Sequence, residues 1–307
     1  MMILCCGEAL IDMLPRKGAD GADVYQPFLG GSVYNTAVAL ARLGTPTGFF
    51  AGISEDFFGD GLMDGLKAAG VSTKHVRRKD LHTTLALVKL TDGHARYSFI
   101  DDGSAGRMLT KGDMPKLSKS IAALHFGSIS LIPEPSGGTY ETLLKKASKS
   151  HVISLDPNIR PTVIKNKKKH LSRLKRMMAK ADLIKISDED VTWMTGKQEF
   201  AKAAKGWLKD GAKIVAITRG GEGVEVFTKL HSLSLAAPKV KVADTVGAGD
   251  TFTAGFLSYL HRNGLLTKKA MASIEATQLM HAAEFAMKAA AVTVSRQGAD
   301  PPWASEV

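Results

Sequence analysis

The sequence is poor in cysteine: Cys5 and Cys6 are the only two, and they are neighbours in a short apolar run. Adjacent strand residues point to opposite faces of a sheet, so a structural disulfide between them is not expected. No apolar run is long enough to span a bilayer, and the first residues lack the basic segment and cleavage site of a signal peptide. The sequence therefore predicts a cytoplasmic protein with no membrane partner.

Acidic residues are scarce relative to basic ones, 30 against 41, which gives a net charge of +11. Much of the excess lies between residues 165 and 180, where no aromatic residue separates the lysines and arginines. Binders of single-stranded nucleic acid need such aromatic residues to stack on bases. We interpret the run as a solvated helix face, with long-range attraction of an anionic substrate such as ATP as the functional alternative. We expect no nucleic-acid partner.

Two nucleotide-binding motifs are missing. The sequence has no Gly-x-x-x-x-Gly-Lys-Ser/Thr loop, and the residues that follow its first apolar run, from Gly7 onward, lack the Gly-x-Gly-x-x-Gly pattern. These absences argue against a P-loop enzyme and against a dinucleotide-binding fold.

What is present is an alternation of short β-rich runs with helical ones, which is typical of a parallel sheet flanked by helices. With 307 residues, 44% of them apolar, the chain is long enough to bury a substantial core. We predict strands at residues 3–6, 48–51, 122–126, 152–155, 183–186 and 214–218, and helices at residues 33–43, 59–69, 140–148, 202–208, 251–259 and 277–294.

Two segments depart from this alternation. Residues 11–29, rich in glycine, aspartate and proline, are interpreted as loop-like. Residues 83–100 alternate apolar and polar side chains across a turn at Asp92 and Gly93, which predicts a β-hairpin. Such inserted strands are expected to form a small accessory sheet over the carboxyl edge of the main sheet. Open α/β sheets bind ligands at that edge, and a lid there would exclude water.

The most informative run is residues 244–255. Its small residues Gly247, Ala248 and Gly249 allow backbone N–H groups to approach a ligand, and a predicted helix follows, whose N-terminus attracts anions. Asp250 is not needed to bind phosphate and would repel it, so we interpret it as a catalytic base beside a phosphoryl group in transfer. The three amides would stabilise the developing charge. The structural alternative is an N-cap aspartate.

This run resembles the C-terminal signature of the PfkB or ribokinase-like family of carbohydrate kinases, and residues 29–44 resemble its N-terminal signature. Residues 52–59, followed by Gly70 and Val71, also fit the family. The matching elements occur in family order over nearly the whole chain.

The resemblance implies a fold and a domain organisation. We expect one ribokinase-like kinase domain over residues 1–307, built as a three-layer α/β/α sandwich with a mostly parallel central sheet. Its small β-sheet lid would comprise segments at approximately residues 11–29 and 83–107.

The resemblance also implies a catalytic role for Asp250 and an anion hole at the 247–249 amides. The sugar would contact Gly30, Gly31 and Asn35, while Asp12 would grip its hydroxyls from the loop after the first strand. The residue types agree, because a glycine pair permits close backbone approach and Asp and Asn supply the donors and acceptors that a polyol needs. A turn role for Asp12 and a helix-terminal role for Asn35 are the structural alternatives.

The segment from Asp156 to Arg160 follows a predicted strand and is similar to the Asp-x-Asn-x-Arg segment of bacterial fructokinases and their near relatives. The resemblance implies that Arg160 meets sugar or phosphate oxygens, which a guanidinium fork matches well, and that Asn158 faces the active site. A proline-initiated turn with a surface arginine is the alternative.

Residues 185–190 fall where many family members carry Asn-x-x-Glu, a motif linked to Mg²⁺ and phosphate. Here Ser187 replaces the asparagine and Asp190 the glutamate. The resemblance implies a nucleotide contact for Ser187, and Mg²⁺ held through water by Asp190 or Glu189. A capping box that starts a helix at Ser187 is an equally good interpretation.

A glycine-rich segment at residues 218–223 ends a predicted strand and opens a hairpin. The resemblance implies that the nucleotide approaches here, and an ordinary turn is the alternative. The last helix and residues 295–299 would border the adenine and a monovalent-cation site, with Asp244 helping to hold K⁺. His281 is interpreted as a core or pocket-wall residue rather than a ligand. The predicted nucleotide contacts are Ser187, Thr218, Gly220, Gly221, Gly223 and Gly249.

The sequence thus predicts an ATP-dependent sugar kinase that uses Mg²⁺, and K⁺ if the family trait holds. Residues 156–160 favour fructose over ribose, a 2-keto-3-deoxy sugar acid or a nucleoside, all of which stay open. For a sugar acid, Lys89, Arg96 or Arg107 could face the carboxylate. A non-catalytic sugar or nucleotide sensor is disfavoured, because it would not need Asp250 and its small-residue loop. A homodimer through the lid and a monomer both remain open.

Overall fold

The computed structural model describes residues 1–91 and 94–307, and the backbone alone for residues 89–91 and 94–97. Its central sheet has eight strands: β1 (Met2–Cys6), β4 (Thr47–Phe50), β9 (Ile121–Gly127), β10 (Val152–Asp156), β11 (Leu183–Ser187), β12 (Ile214–Thr218), β13 (Val224–Phe227) and β14 (Ser232–Leu235). Their order across the sheet is β14-β13-β12-β11-β10-β9-β1-β4. The pairs β12–β13 and β13–β14 are antiparallel, and the other neighbouring strands of this sheet pair in parallel. The predicted α/β class with a mostly parallel central sheet is confirmed, and all six predicted strands are present.

Nine helices flank this sheet in the described part of the chain: α1 (Ser32–Arg42), α2 (Phe57–Ala68), α3 (Ser136–Ala147), α4 (Lys167–Met178), α5 (Asp188–Thr195), α6 (Phe200–Asp210), α7 (Ala248–Arg262), α8 (Lys268–Ala272) and α9 (Ala276–Val294). Helices α1, α2 and α7 to α9 pack on one face of the sheet, and α3 to α6 on the other. The six predicted helices correspond to α1, α2, α3, α6, α7 and α9.

Strand β1 shows how the sheet separates the two cores. Ile3 and Cys5 belong to the core under α7 and α9, whereas Leu4 and Cys6 belong to the core under α3 and α4. The two thiols are therefore free, buried and directed to opposite faces, as the alternation of strand side chains predicts.

A separate four-stranded sheet has the order β3-β2-β7-β8, formed by β2 (Leu10–Lys17), β3 (Asp23–Gly30), β7 (Leu85–Thr91) and β8 (His94–Ile100). The loop-like interpretation of residues 11–29 is wrong, because they form the β2–β3 hairpin. Pro15 is tolerated there since β2 pairs with β7 only from Ile11 to Met13. The predicted hairpin at residues 83–100 is confirmed as β7 and β8, while its turn at Asp92 and Gly93 lies outside the described residues. A short parallel pair, β5 (Gly52–Ser54) and β6 (Arg77–Lys79), lies apart.

The basic run coincides with α4, but its interpretation as a fully solvated face is only partly correct. Arg173 is buried, and its guanidinium forms ion pairs with Glu134 and Glu141. His170 is buried against Trp193. No helix within residues 1–91 and 94–307 combines the length and the apolar character needed to cross a membrane.

Candidate active site at the carboxyl edge of the sheet

Two adjoining cavities lie at the carboxyl ends of β10, β11 and β12. The smaller has a volume of about 300 Å³ and opens between β2, the start of α1 and the start of α7. The larger, about 660 Å³, lies between β11, β12 and helices α7 and α9. They share five lining residues: Asn158, Arg160, Lys185, Thr245 and Gly249. A ligand in one cavity can therefore touch a ligand in the other.

Asp250 lies at the wall of the smaller cavity. Its carboxylate accepts hydrogen bonds from Ser32 Oγ at 2.6 Å and from Asn35 Nδ2 at 3.0 Å. Burial raises the pKa of this carboxyl above its usual range, although these two hydrogen bonds oppose the shift. Helix α7 begins at Ala248 with Gly247 as its N-cap, so the N-cap interpretation of Asp250 is wrong. A buried, well-oriented carboxylate of raised basicity is suited to accept a proton.

Hydrogen bonds extend from Asp250 toward β10. Ser32 Oγ accepts from Asn158 Nδ2 at 2.7 Å, and Asn158 Oδ1 accepts from Arg160 Nη1 at 2.5 Å. Asn158 has a φ of 39°, a left-handed conformation that asparagine tolerates better than most residues. Asn158 and Arg160 both line the smaller cavity, and their contact with a sugar stays a prediction.

Asp12 lies on β2, not in a loop as predicted. Its pKa is raised to about 6 by burial and by the charge of Asp250, with Arg160 opposing the shift. Gly30 gives it room, because a Cβ at that position would lie 2.1 Å from Asp12 Oδ2. Gly31 has a φ of 106°, which requires glycine. Gly31, Asn35 and Asp12 line the smaller cavity, while Gly30 lies behind Asp12.

Glu8 lies at the end of β1 and fixes the start of α1 from outside the helix. It accepts from the N–H groups of Val33 at 3.4 Å and Ser130 at 3.3 Å. The N-cap of α1, Gly31, has no side chain to do so. Burial raises the pKa of Glu8, and the carboxyl stays in place because these amides satisfy it.

The N-terminus of α7 presents backbone donors between the two cavities. The first bond within the helix runs from Thr251 N–H to the carbonyl of Gly247, and Ala248 N–H bonds to the carbonyl of Thr245. The N–H groups of Gly249 and Asp250 precede the helical ladder, so they are available to an anion. The predicted contribution of Ala248 is therefore weaker than that of Gly249.

The larger cavity is lined by all six residues predicted to bind the nucleotide: Ser187, Thr218, Gly220, Gly221, Gly223 and Gly249. Gly223 has a φ of 111°, and a Cβ there would lie 2.0 Å from the carbonyl of Leu235, so only glycine allows this turn. Residues 295–299, predicted to border the adenine, are absent from its walls. The apolar wall consists of Val240, Val242, Phe252, Met287, Ala290, Ala291 and Val294.

The candidate cation ligands occupy different environments. Asp190 lines the larger cavity, accepts from Ile159 N–H at 3.2 Å, and has a pKa raised to about 7 by burial and by Asp156. Ser187 caps α5 by accepting from the N–H of Asp190, which confirms the predicted helix start. The carboxylate of Asp244 accepts from the N–H groups of Val246 and Gly298, both at 3.0 Å.

Several side chains at the site were not predicted: Ser32, Glu8 and Lys185. Lys185 Nζ donates to Asp156 Oδ2 at 3.0 Å, and both residues are buried. The signal available in the sequence was an ionisable residue in an otherwise apolar strand, which marks Lys185 in β11 and Asp156 at the end of β10. His281, expected in the core or a pocket wall, is exposed on α9. Arg107, considered for a sugar acid, pairs with Asp101 and Asp102 outside both cavities.

The chain matches known proteins over almost its full length. A model of the pfkB family carbohydrate kinases matches residues 2–306. A fructokinase from Rhizobium leguminosarum bv. trifolii is 51% identical over 274 residues, which cover 89% of this chain and 84% of the relative. The crystal structure of a fructokinase with bound ATP from Xylella fastidiosa superposes with a TM-score of 0.91 at 29% identity, covering 99% of this chain and 96% of that one. A double-mutant fructokinase from Vibrio cholerae O395 in a fructose-, ADP- and potassium-bound form superposes with a TM-score of 0.85 at 25% identity, covering 97% and 93%.

Proposed function

The chain belongs to the pfkB family of carbohydrate kinases, and from that premise we propose how its two cavities transfer a phosphoryl group from ATP to fructose. It is an ATP-dependent sugar kinase with a ribokinase-like fold. The observation that carries the proposal is the position of Asp250: a buried carboxylate beside free helix N-terminal amides, where a sugar-sized cavity meets a nucleotide-sized one.

The reaction follows from this geometry. Fructose occupies the smaller cavity and ATP the larger, with its γ-phosphoryl group near the N–H groups of Gly249 and Asp250. Asp250 takes the proton from a primary hydroxyl of the sugar as that oxygen forms a bond to the γ-phosphorus, and the bond between the γ-phosphorus and the bridging oxygen of ADP breaks. Ser32 and Asn35 orient the carboxylate, and the amides stabilise charge on the transferred group.

Sugar recognition is assigned to residues from three elements. Asp12 accepts hydrogen bonds from sugar hydroxyls, Asn35 and Asn158 offer both donors and acceptors, and Arg160 donates to sugar or phosphate oxygens. Gly31 lets the backbone approach the ring. All five residues line the smaller cavity. Gly30 does not line it, and acts by making room for Asp12.

We assign Mg²⁺ to the phosphate end of the larger cavity, near Asp190. The described residues contain no group of three or more potential metal-ligating side chains, and the oxygen donors present suit an ion held through water and phosphate. When bound, Mg²⁺ neutralises phosphate charge. For K⁺, the loop held by Asp244 and Gly298 is the candidate, supported by the potassium ion in the Vibrio cholerae fructokinase.

Three further assignments complete the proposal. Residues 1–307 act as one kinase domain, and the small sheet is its lid. Exposed apolar side chains on that sheet, Val24, Tyr25, Leu29 and Ile100, support a homodimer through the lid. Free, buried cysteines suit a reducing cytoplasm.

The acceptor is tested by ADP release with Mg·ATP across fructose, ribose, tagatose, 2-keto-3-deoxygluconate and adenosine. We expect the highest kcat/KM with fructose. A higher value with another sugar would replace fructose as the acceptor while keeping the kinase mechanism. Tight ATP binding without turnover on any acceptor would instead support a sensor.

The pH dependence of sugar binding tests the role of Asp12. Its pKa of about 6 means that the free enzyme loses this negative charge as the pH falls through 6. A neutral carboxyl is a weaker acceptor, so the KM for fructose is expected to rise by about tenfold between pH 7 and pH 5. The Asp12→Asn variant should show a high KM at every pH, with little further rise. A wild-type KM that is constant from pH 8 to pH 5 would contradict this role.

A further inference from the structure

A third cavity, about 570 Å³ in volume, lies between the end of β8 and the start of α4. It meets the smaller cavity of the candidate site at Glu8, Phe99 and Ile129, and it shares no lining residue with the larger one. Its volume is within the range of about 300–1,000 Å³ that is typical of small-molecule sites. Neither fructose nor ATP is assigned to this cavity in the proposed reaction.

The wall that the start of α4 contributes is positive. Lys165 and Lys169 line it, and residues 165–180 include no acidic side chain. The first turn of α4 carries no acidic residue that would offset the helix dipole, so the partial positive charge of the helix N-terminus adds to that of the lysines. Glu134 neutralises only part of this charge, because it pairs with both Lys169 and Arg173.

His170 gives a second, independent indication of a ligand on the same wall. The residue is 5% exposed and lines the cavity, and its Nδ1 has no hydrogen-bond partner in the described part of the chain. Burial lowers the pKa of this imidazole to about 4, so near pH 7 the ring is neutral and has one N–H donor and one acceptor nitrogen. Buried polar groups normally form hydrogen bonds, and a ligand with several oxygen atoms can supply them here.

The wall formed by the residues that follow β8 is acidic instead. Asp101 and Asp102 line it, and Arg107 pairs with both. Asp101 Oδ1 also accepts from Thr84 Oγ1 at 2.9 Å. The side chain of Asp102 is 84% exposed, so its carboxylate can accept further hydrogen bonds from hydroxyl groups. The cavity therefore combines a cationic wall with a wall suited to hydroxyl groups.

We propose that this cavity is a second binding site, distinct from the site of phosphoryl transfer, and that its ligand is a phosphorylated sugar. The phosphate group lies against Lys165, Lys169 and the ring of His170, and sugar hydroxyls lie against Asp102. Lysines bind phosphate as point charges, and phosphate oxygens accept the N–H of a neutral imidazole. The site goes beyond the proposed kinase function, because binding here does not require that the ligand react.

The test is calorimetric titration of fructose 6-phosphate into protein saturated with fructose and the β,γ-imido analogue of ATP, which occupy the other two cavities. We expect one molecule to bind per chain, with an affinity about tenfold or more lower in Lys165→Gln/Lys169→Gln. The matched control is Lys175→Gln/Lys180→Gln, which removes two exposed lysines of the same basic run that line none of the three cavities. Its affinity should equal that of the wild type.

Two results would overturn the site: no binding to the saturated wild type, or equal losses of affinity in the two double variants. Equal losses would mean that the basic run only attracts anions at long range. Inorganic phosphate is titrated in parallel, and binding as tight as that of fructose 6-phosphate would overturn the choice of a phosphorylated sugar.

His170→Phe tests the imidazole separately, since phenylalanine keeps an aromatic ring against Trp193. We expect this variant to bind fructose 6-phosphate several-fold more weakly than the wild type, and unchanged affinity would refute the contact with His170. Because the readout is binding rather than turnover, these titrations decide the role of the cavity even if no sugar is phosphorylated. Absence of turnover on every acceptor would refute only the kinase function.

Discussion

Asp250→Asn is expected to lower kcat by about 1,000-fold or more while leaving the protein folded. The amide cannot take the proton of the acceptor hydroxyl, and it has the same shape as the carboxylate. Burial raises the pKa of Asp250, which means that the folded state carries its charge at a cost near neutral pH. Removing that charge should therefore maintain or increase the midpoint of thermal unfolding.

The measurement is steady-state ADP formation with fructose, together with thermal unfolding of the same preparations. Asp60→Asn is the matched control: Asp60 also lies in the first turn of a helix, α2, but it is exposed and pairs with Arg78. Its activity should equal that of the wild type. Retention of more than a tenth of the activity in Asp250→Asn would show that another group accepts the proton.

Gly255→Ala is expected to cost about 1–3 kcal/mol of folding free energy and to raise the KM for ATP. Gly255 is buried where α7 crosses α9, and a Cβ there would lie 2.8 Å from Ala286 Cα and 3.4 Å from its backbone nitrogen. Backbone atoms cannot rotate away as a side chain can, so the two helices must separate. Both helices line the larger cavity, through Phe252 and Met287.

Gly206→Ala is the control for this substitution. Gly206 is also a helical glycine, in α6, but a Cβ there would meet nothing within 4 Å. Alanine should stabilise this helix by about 0.5–1 kcal/mol. Chemical denaturation of both variants would show shifts of opposite sign. Equal stabilisation would mean that α7 and α9 can move apart without loss.

The strands and the loop before Asp250 were predictable because their signals are local. Short apolar runs mark β1, β10 and β12, and the small residues before Asp250 mark a helix start that needs close approach. In the structure, Gly247 and Gly223 have positive φ angles, a backbone conformation that glycine adopts without strain. Such features depend on a few consecutive residues, so one sequence is enough to find them.

The network around Asp250 was only partly predictable, because its members are distant in the chain. Ser32 and Asp250 are 218 residues apart, and no local pattern indicates that they share a hydrogen bond. Lys185 was overlooked for a related reason: its ammonium group lies beside Gly249, which belongs to another element. A pattern within one strand cannot show what the neighbouring helix places against it.

Two wrong interpretations had signals that were present but weak. In α9, His281, Glu284 and Lys288 recur at helical spacing and form a polar stripe on the helix. His281 and Lys288 are exposed, so this stripe, and not the alanine-rich composition, decides that His281 faces solvent. In residues 11–29, the prolines and glycines suggested a loop. Strand β3 is the edge of the small sheet, where proline is tolerated, so this composition did not prevent a hairpin.

The opposed, buried thiols of Cys5 and Cys6 have a practical consequence for following the small four-stranded sheet in solution. Burial raises the pKa of both thiols far above the usual range, which leaves almost no thiolate to react with alkylating reagents. A single cysteine introduced at an exposed position such as Val24 on β3 would therefore take up a fluorescent or spin label alone. The native cysteines would not react, so they need not be replaced before such labelling.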